Sequence, residues 1–132
     1  MKFTVYMEPV AKARARTVIR KGKVYSFTPR ETELAEWRIQ QAIPHHCIPL
    51  SPHTPVKLQA TFYLLKPKSI PKKRTAPVTK PDFDNYSKLV ADALSEFVYH
   101  NDAQITTAII RKRYGTPPRI EIDVTEDDLS ET

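Results

Sequence analysis

Residues 80–105 read KPDFDNYSKLVADALSEFVYHNDAQI, and their spacing decides more about this chain than any other stretch. Tyr86, Leu89, Val90, Ala93, Leu94 and Phe97 recur at three- and four-residue steps, the period of one apolar helix face. Asp84, Lys88 and Asp92 recur every four residues and form a polar stripe opposite it. Asp82 and Asp84 open the helix, and Asp102 follows it, just before a strand expected over Gln104 to Lys112. Carboxylate oxygens are the hard ligands Mg²⁺ prefers, and it takes only one or two of them, completing its shell with water or phosphate oxygen. Asp82, Asp84 and Asp102 therefore read as a candidate metal site. Their spacing permits convergence, which depends on sheet geometry.

The remaining elements give an α+β pattern. Phe3, Val5 and Met7 alternate with polar residues, and Lys23 to Phe27 follows the turn residues Arg20-Lys21-Gly22, so these two runs read as a pair of strands. Thr28, Pro29 and Glu31 mark a helix start, with Thr28 as the cap and Pro29 in the first helical position. That helix should run to about Ile43, burying Ala35, Ile39, Ala42 and Ile43, with Pro44 ending it. Val56 to Leu64 alternates as a half-buried strand. Ile120, Ile122 and Val124 form the last strand, joined to its predecessor by Tyr114-Gly115-Thr116-Pro117-Pro118, which reads as a hairpin turn. The expected architecture is one small domain over residues 1–125, with a mixed, mainly antiparallel sheet and two principal helices. Residues 126–132 form an acidic tail, with fraying expected after Val124.

Charge separates the chain into unequal parts. The segment KPKSIPKKRTAPVTK, residues 66–80, holds six basic residues and no acid, while the other 15 basic residues match the 15 acidic ones. The net charge of +6 thus resides in one segment, where Pro67, Pro71 and Pro77 favour a long extended or mobile loop. A basic run can be merely a solvated linker. Here it leads directly into the acidic cluster, so a polyanion attracted to the loop would be delivered to the metal. No apolar run approaches the length of a membrane span, and the N-terminus lacks signal-peptide features, so a cytoplasmic location is expected. Cys47 is the single cysteine and excludes an intramolecular disulfide.

Each acidic residue also has a plainer explanation. Asp at a helix start caps and suits the helix dipole. Lys88 can serve as an i, i+4 ion-pair partner or face a scissile phosphate, and Asp102 can belong to a turn. The combination is what gives these residues weight.

That combination, KPDFDNYSKLVADAL followed by HNDAQI, resembles the signature of the RusA family of Holliday-junction resolvases. Lys12-Ala13-Arg14-Ala15-Arg16 is similar to the family's basic segment after the first strand. Asn101 stands where the family more often has the first Asp of a pair, leaving Asp102 as the better ligand. The resemblance implies a homodimeric, Mg²⁺-dependent endonuclease, with Mn²⁺ as a substitute, that makes paired symmetric nicks in four-way DNA junctions and is encoded by bacteria, phages or prophages. It assigns Asp82, Asp84 and Asp102 as metal ligands and Lys88 as the catalytic lysine. Lys12, Arg14, Arg16, Lys66, Lys68, Lys72, Lys73, Arg74 and Lys80 would hold flanking phosphates. No other cofactor and no membrane partner is implied.

Other readings stand beside it. His45, His46, Cys47 and His53 are zinc-capable side chains in no common zinc spacing. His100 adjoins the acids and is a proton carrier or a surface residue. Trp37 and the tyrosines read mainly as core or sheet residues, with Tyr25, Phe27 and Tyr86 also able to stack on unpaired bases. The competing functions are a non-catalytic nucleic-acid-binding module and a metal nuclease for other branched DNA.

Overall fold

The computed structural model describes residues 1–10, 16–27 and 29–130, with the side chains of Arg16, Val18, Tyr25, Ser26 and Phe27 left aside. The expectations placed on Lys12, Arg14 and Thr28, and on the side chains of Arg16, Tyr25 and Phe27, lie outside the described residues.

Val56–Leu64 forms β4, and its alternation works as the sequence suggests: Val56, Leu58, Ala60 and Phe62 are buried. The Val, Leu and Phe side chains among them contribute about 1.5–3 kcal/mol each when fully removed from water. β4 is central. It pairs in parallel with β5 (Ile105–Tyr114) and antiparallel with β6 (Arg119–Glu126), and β6 in turn pairs antiparallel with β1 (Lys2–Val5). The sheet order is thus β1-β6-β4-β5. Two parallel neighbours need a crossover, supplied here by the basic loop and helix α2 (Phe83–Leu94). Helix α1 (Arg30–Ala42) packs on α2, and both contribute to one core with the sheet: Ala35 and Ile39 from α1, and Tyr86, Leu89, Val90, Ala93 and Leu94 from α2. Among the described residues the fold is α+β, with two α-helices and a mixed, mostly antiparallel sheet. No helix among the described residues is long and apolar enough to cross a membrane.

Several expectations change at the level of pairing. The first strand and Lys23–Phe27 are not partners: β1 lies beside β6, while β3 (Lys23–Phe27) forms a separate hairpin with β2 (Arg16–Arg20). Alternation marks a strand without naming its neighbour. Nor do β5 and β6 form a hairpin, because the more thoroughly buried β4 lies between them. The connection crosses the end of β4, where the Gly115 N–H donates to the Leu64 carbonyl at 3.0 Å. A Cβ on Gly115 would stand 2.6 Å from Cδ1 of Tyr63, so this crossing has room only for glycine.

The helix ends also shift. Pro29 is the cap of α1 rather than its first helical residue, and its carbonyl accepts from the N–H groups of Thr32 and Glu33. Trp37, expected inside, is 55% exposed, since two helical steps carry it about 200° away from the Ala35 and Ile39 positions. Phe97 lies beyond the end of α2 and is exposed; Val98 and Tyr99 take the buried places. At the C-terminus, order continues past Val124. β6 runs to Glu126, and the Asp127 carboxylate accepts from the hydroxyls of Thr106 and Thr107 at 2.7 Å each.

Candidate active site

The entry into α2 places the first two acids. Asp82 is the helix cap, with extended backbone (φ −69°, ψ 152°), yet its side chain makes no capping hydrogen bond. Of the two structural roles open to this residue, the cap bond is not made and only its charge beside the helix N-terminus remains. Asp84, in the first turn, is exposed. Together with Val78, Thr79, Lys80, Phe83 and Lys112, the two aspartates line an open cavity. Phe83, the residue between them in sequence, is 62% exposed, while Tyr86, weighed as a stacking residue, is buried against Phe62 with ring centroids 4.9 Å apart.

Asp102 reaches the helix from the other side of the crossover. It begins a 3₁₀ turn, Asp102–Gln104, capped by Asn101, whose Oδ1 accepts from the Ala103 N–H at 2.8 Å. Asn101 is thus explained as a cap. Gln104 anchors the turn: its Oε1 accepts from the N–H groups of His100 and Asn101, and its Nε2 donates to the carbonyls of Ser51 and Thr54. The turn holds Asp102 where its Oδ2 lies 3.1 Å from the Lys88 ammonium. Lys88 also lies 3.1 Å from Asp92 Oδ1, one helical turn further on. The ion pairs are therefore with Asp92 and Asp102, and none joins Lys88 to Asp84. Hydrogen bonds to Asp92, then to Asp102, hold the Lys88 pKa above its ordinary 10.5, so the side chain is cationic at neutral pH. Beneath the site, the buried Tyr99 hydroxyl donates to the Ala91 carbonyl at 2.6 Å, and burial raises its pKa strongly.

The basic loop is more ordered than a free linker. The Lys66 ammonium donates to the carbonyls of Lys72 and Arg74, at 3.1 and 2.6 Å, and Pro77 is buried. Lys66 is thus engaged in closing the loop. Lys68, Lys72, Lys73, Arg74 and Lys80 are exposed and available to phosphate.

The structure brings Lys88, Asp92 and Asp102 together. Among the described residues, no three His, Cys, Asp or Glu side chains converge as a metal-holding group, so neither the three aspartates nor His45, His46, Cys47 and His53 form one. The aspartates nonetheless fit Mg²⁺ in donor chemistry: they supply only oxygens, they are reachable from solvent, and Asp82 spends none of its acceptors on capping. Two contributors escaped the sequence reading. Gln104 belongs to the quoted motif but signals its anchoring only through tertiary contacts, and Lys112 had no local signal beyond its place at a strand end.

Fold and site together define a small α+β protein presenting an exposed carboxylate–lysine cluster beside a cationic loop. The model of the family described as Endodeoxyribonuclease RusA matches residues 7–125, and the chain belongs to that family. It is also 36% identical over 136 residues to "Uncharacterized protein YqaN" of Bacillus subtilis (strain 168), with 96% of each chain covered.

Proposed function

We propose that this chain is a Mg²⁺-dependent endodeoxyribonuclease that resolves four-way DNA junctions by paired symmetric nicks, acting as a homodimer in recombination and repair in the bacterial cytoplasm, from a bacterial, phage or prophage gene. Membership of the RusA family supplies the nuclease class. The observation that carries the site assignment is the contact between Lys88 and Asp102, residues of one motif brought to 3.1 Å across the crossover.

Asp82, Asp84 and Asp102 would hold the metal. Bound there, Mg²⁺ would supply Lewis-acid stabilisation of the phosphate and make water acidic enough to act near neutral pH. The chain's own groups do the rest. Lys88, cationic and half-exposed, offsets charge developing on the phosphate oxygens, and its i, i+4 pairing with Asp92 holds the ammonium in place when Asp102 is engaged elsewhere. Lys68, Lys72, Lys73, Arg74 and Lys80 hold flanking phosphates and orient the DNA without reading sequence. Hydrolysis forms one P–O bond from water and breaks one P–O bond of the backbone, so no covalent protein nucleophile is required. A two-fold dimer presents one such site to each of two equivalent strands.

The test is cleavage of a labelled four-way junction beside a linear duplex of the same sequence, with Mg²⁺, Mn²⁺ or EDTA, using wild type and Asp84→Ala. Symmetric, metal-dependent nicks confined to the junction and lost in the variant are expected. Junction binding without cleavage in any divalent metal identifies a binding module instead, and equal cleavage of flaps identifies a broader branched-DNA nuclease.

A further inference from the structure

Lys112 lies on β5 opposite Phe62 of β4 in the parallel register, so both side chains stand on the face covered by α2. From there its ammonium reaches the backbone that leads into the helix. Nζ donates to the carbonyl of Thr79 at 2.8 Å and to the carbonyl of Pro81 at 2.8 Å. These carbonyls flank Lys80, and the second immediately precedes Asp82. Residues 79–82 belong to no strand or helix, so no ladder of backbone bonds sets their path. The segment is also poor in donors, with Pro77 and Pro81 contributing no N–H. Lys112 lines the same cavity as Asp82, Phe83 and Asp84 and has no carboxylate ion-pair partner among the described residues. A lysine on a surface strand ordinarily extends into water or toward an acid. Here two of its three donors are committed to main-chain oxygens.

We infer that Lys112 is a positioning residue: it clamps residues 79–81 onto β5 and thereby sets where the Asp82 and Asp84 carboxylates stand. The inference rests on the proposed role of those carboxylates. Asp82 follows the clamped Pro81 carbonyl directly, and Asp84 is two residues beyond, so freedom gained at residues 79–81 passes to both. The opposite wall of the site is set separately, by Gln104 and its bonds to Ser51 and Thr54. Without the clamp, one half of the acidic cluster would move relative to the other while the core stays intact.

The experiment compares wild type, Lys112→Met and Lys112→Arg in full-length protein. Methionine retains an unbranched apolar stem and loses the donors; arginine restores a cation able to donate to two carbonyls. Three readouts are taken: single-turnover cleavage rate and junction affinity with Mg²⁺, amide hydrogen exchange at residues 79–84 without metal or DNA, and paramagnetic broadening by Mn²⁺ of the Asp82 and Asp84 signals. In Lys112→Met, the cleavage rate is expected to fall about 10- to 100-fold, as for displaced catalytic groups, with junction affinity within about threefold of wild type. Exchange at residues 79–84 should rise, Mn²⁺ broadening should weaken, and Lys112→Arg should recover most of each. A wild-type cleavage rate in Lys112→Met overturns the inference. So does a loss of junction affinity at unchanged rate, which would make Lys112 a phosphate contact. If Lys112→Met does not fold, Lys112→Thr, a strand-favouring side chain too short to reach either carbonyl, replaces it under the same criteria. Failure of the functional reading would appear separately, as absence of cleavage by wild type, whereas exchange at residues 79–84 reports on the clamp alone.

Discussion

Substitution at Asp82 separates a structural aspartate from a functional one. An Asp that caps through its side chain stabilises a helix by about 1 kcal/mol (range 0.5–2) over Ala, and Asn caps about as well. Asp82 holds the cap position without the cap bond, so only its charge near the helix N-terminus remains to stabilise α2, worth about 0.3–1 kcal/mol at an exposed site. That charge disappears equally in Asp82→Ala and Asp82→Asn. The two variants should therefore be destabilised alike, by less than about 1 kcal/mol, or roughly 3–5 °C in melting temperature for a chain of this size. Both should lose junction cleavage by about 100-fold or more, the scale of losing one electrostatic contributor to a transition state. Both should bind the junction at least as tightly as wild type, a carboxylate having been removed from the neighbourhood of phosphate. Thermal melts, junction titrations at fixed salt and single-turnover cleavage measure the three quantities. Wild-type stability in Asn beside a loss of about 1–2 kcal/mol in Ala would make Asp82 a cap after all, and wild-type cleavage by either variant would remove it from the metal site.

Lys88→Met removes an exposed cation bridging Asp92 and Asp102, so stability should fall by no more than about 1 kcal/mol while cleavage falls about 100-fold. Its pKa is raised by those partners, so the stabilisation is fully present below pH 10.5 and is lost as pH rises through the higher folded-state value; melts of wild type and Lys88→Met should converge on the alkaline side. Gly115→Ala places a Cβ 2.6 Å from the Tyr63 ring, over which the Arg119 guanidinium lies at 3.8 Å, and should cost about 1–3 kcal/mol by overpacking. Adding Tyr63→Ala should recover much of that loss, and a strictly additive double mutant would show that the clash is not its source.

Features legible in the sequence were those with a local physical cause. The alternation in Val56–Leu64 and the three- and four-residue recurrence in Phe83–Leu94 mark faces that must be buried, and both elements form with their core residues inside. Asp84, Lys88 and Asp92 share a stripe because helix geometry alone puts them there. The errors arose where a residue's neighbour is chosen across the fold. Tyr114 to Pro118 does reverse the chain, but locally nothing shows that β4 will occupy the space between the strands it joins. Trp37 is apolar enough for a core, yet the helix phase set by Ala35 and Ile39 turns it outward.

The α+β class, the periodic faces of α1 and α2, the positive charge ahead of α2 and the candidacy of Asp82, Asp84, Lys88 and Asp102 could all be read from the residue order, because periodicity, composition and motif spacing are properties of neighbouring residues. Chain folding in three dimensions was needed to show that β4 and β5 are parallel, that Asp102 meets Lys88, that Asp82 makes no cap bond, and that Lys112 bonds the backbone before it. Those contacts join residues distant in the chain, and they are selected by which apolar faces pack together in three dimensions.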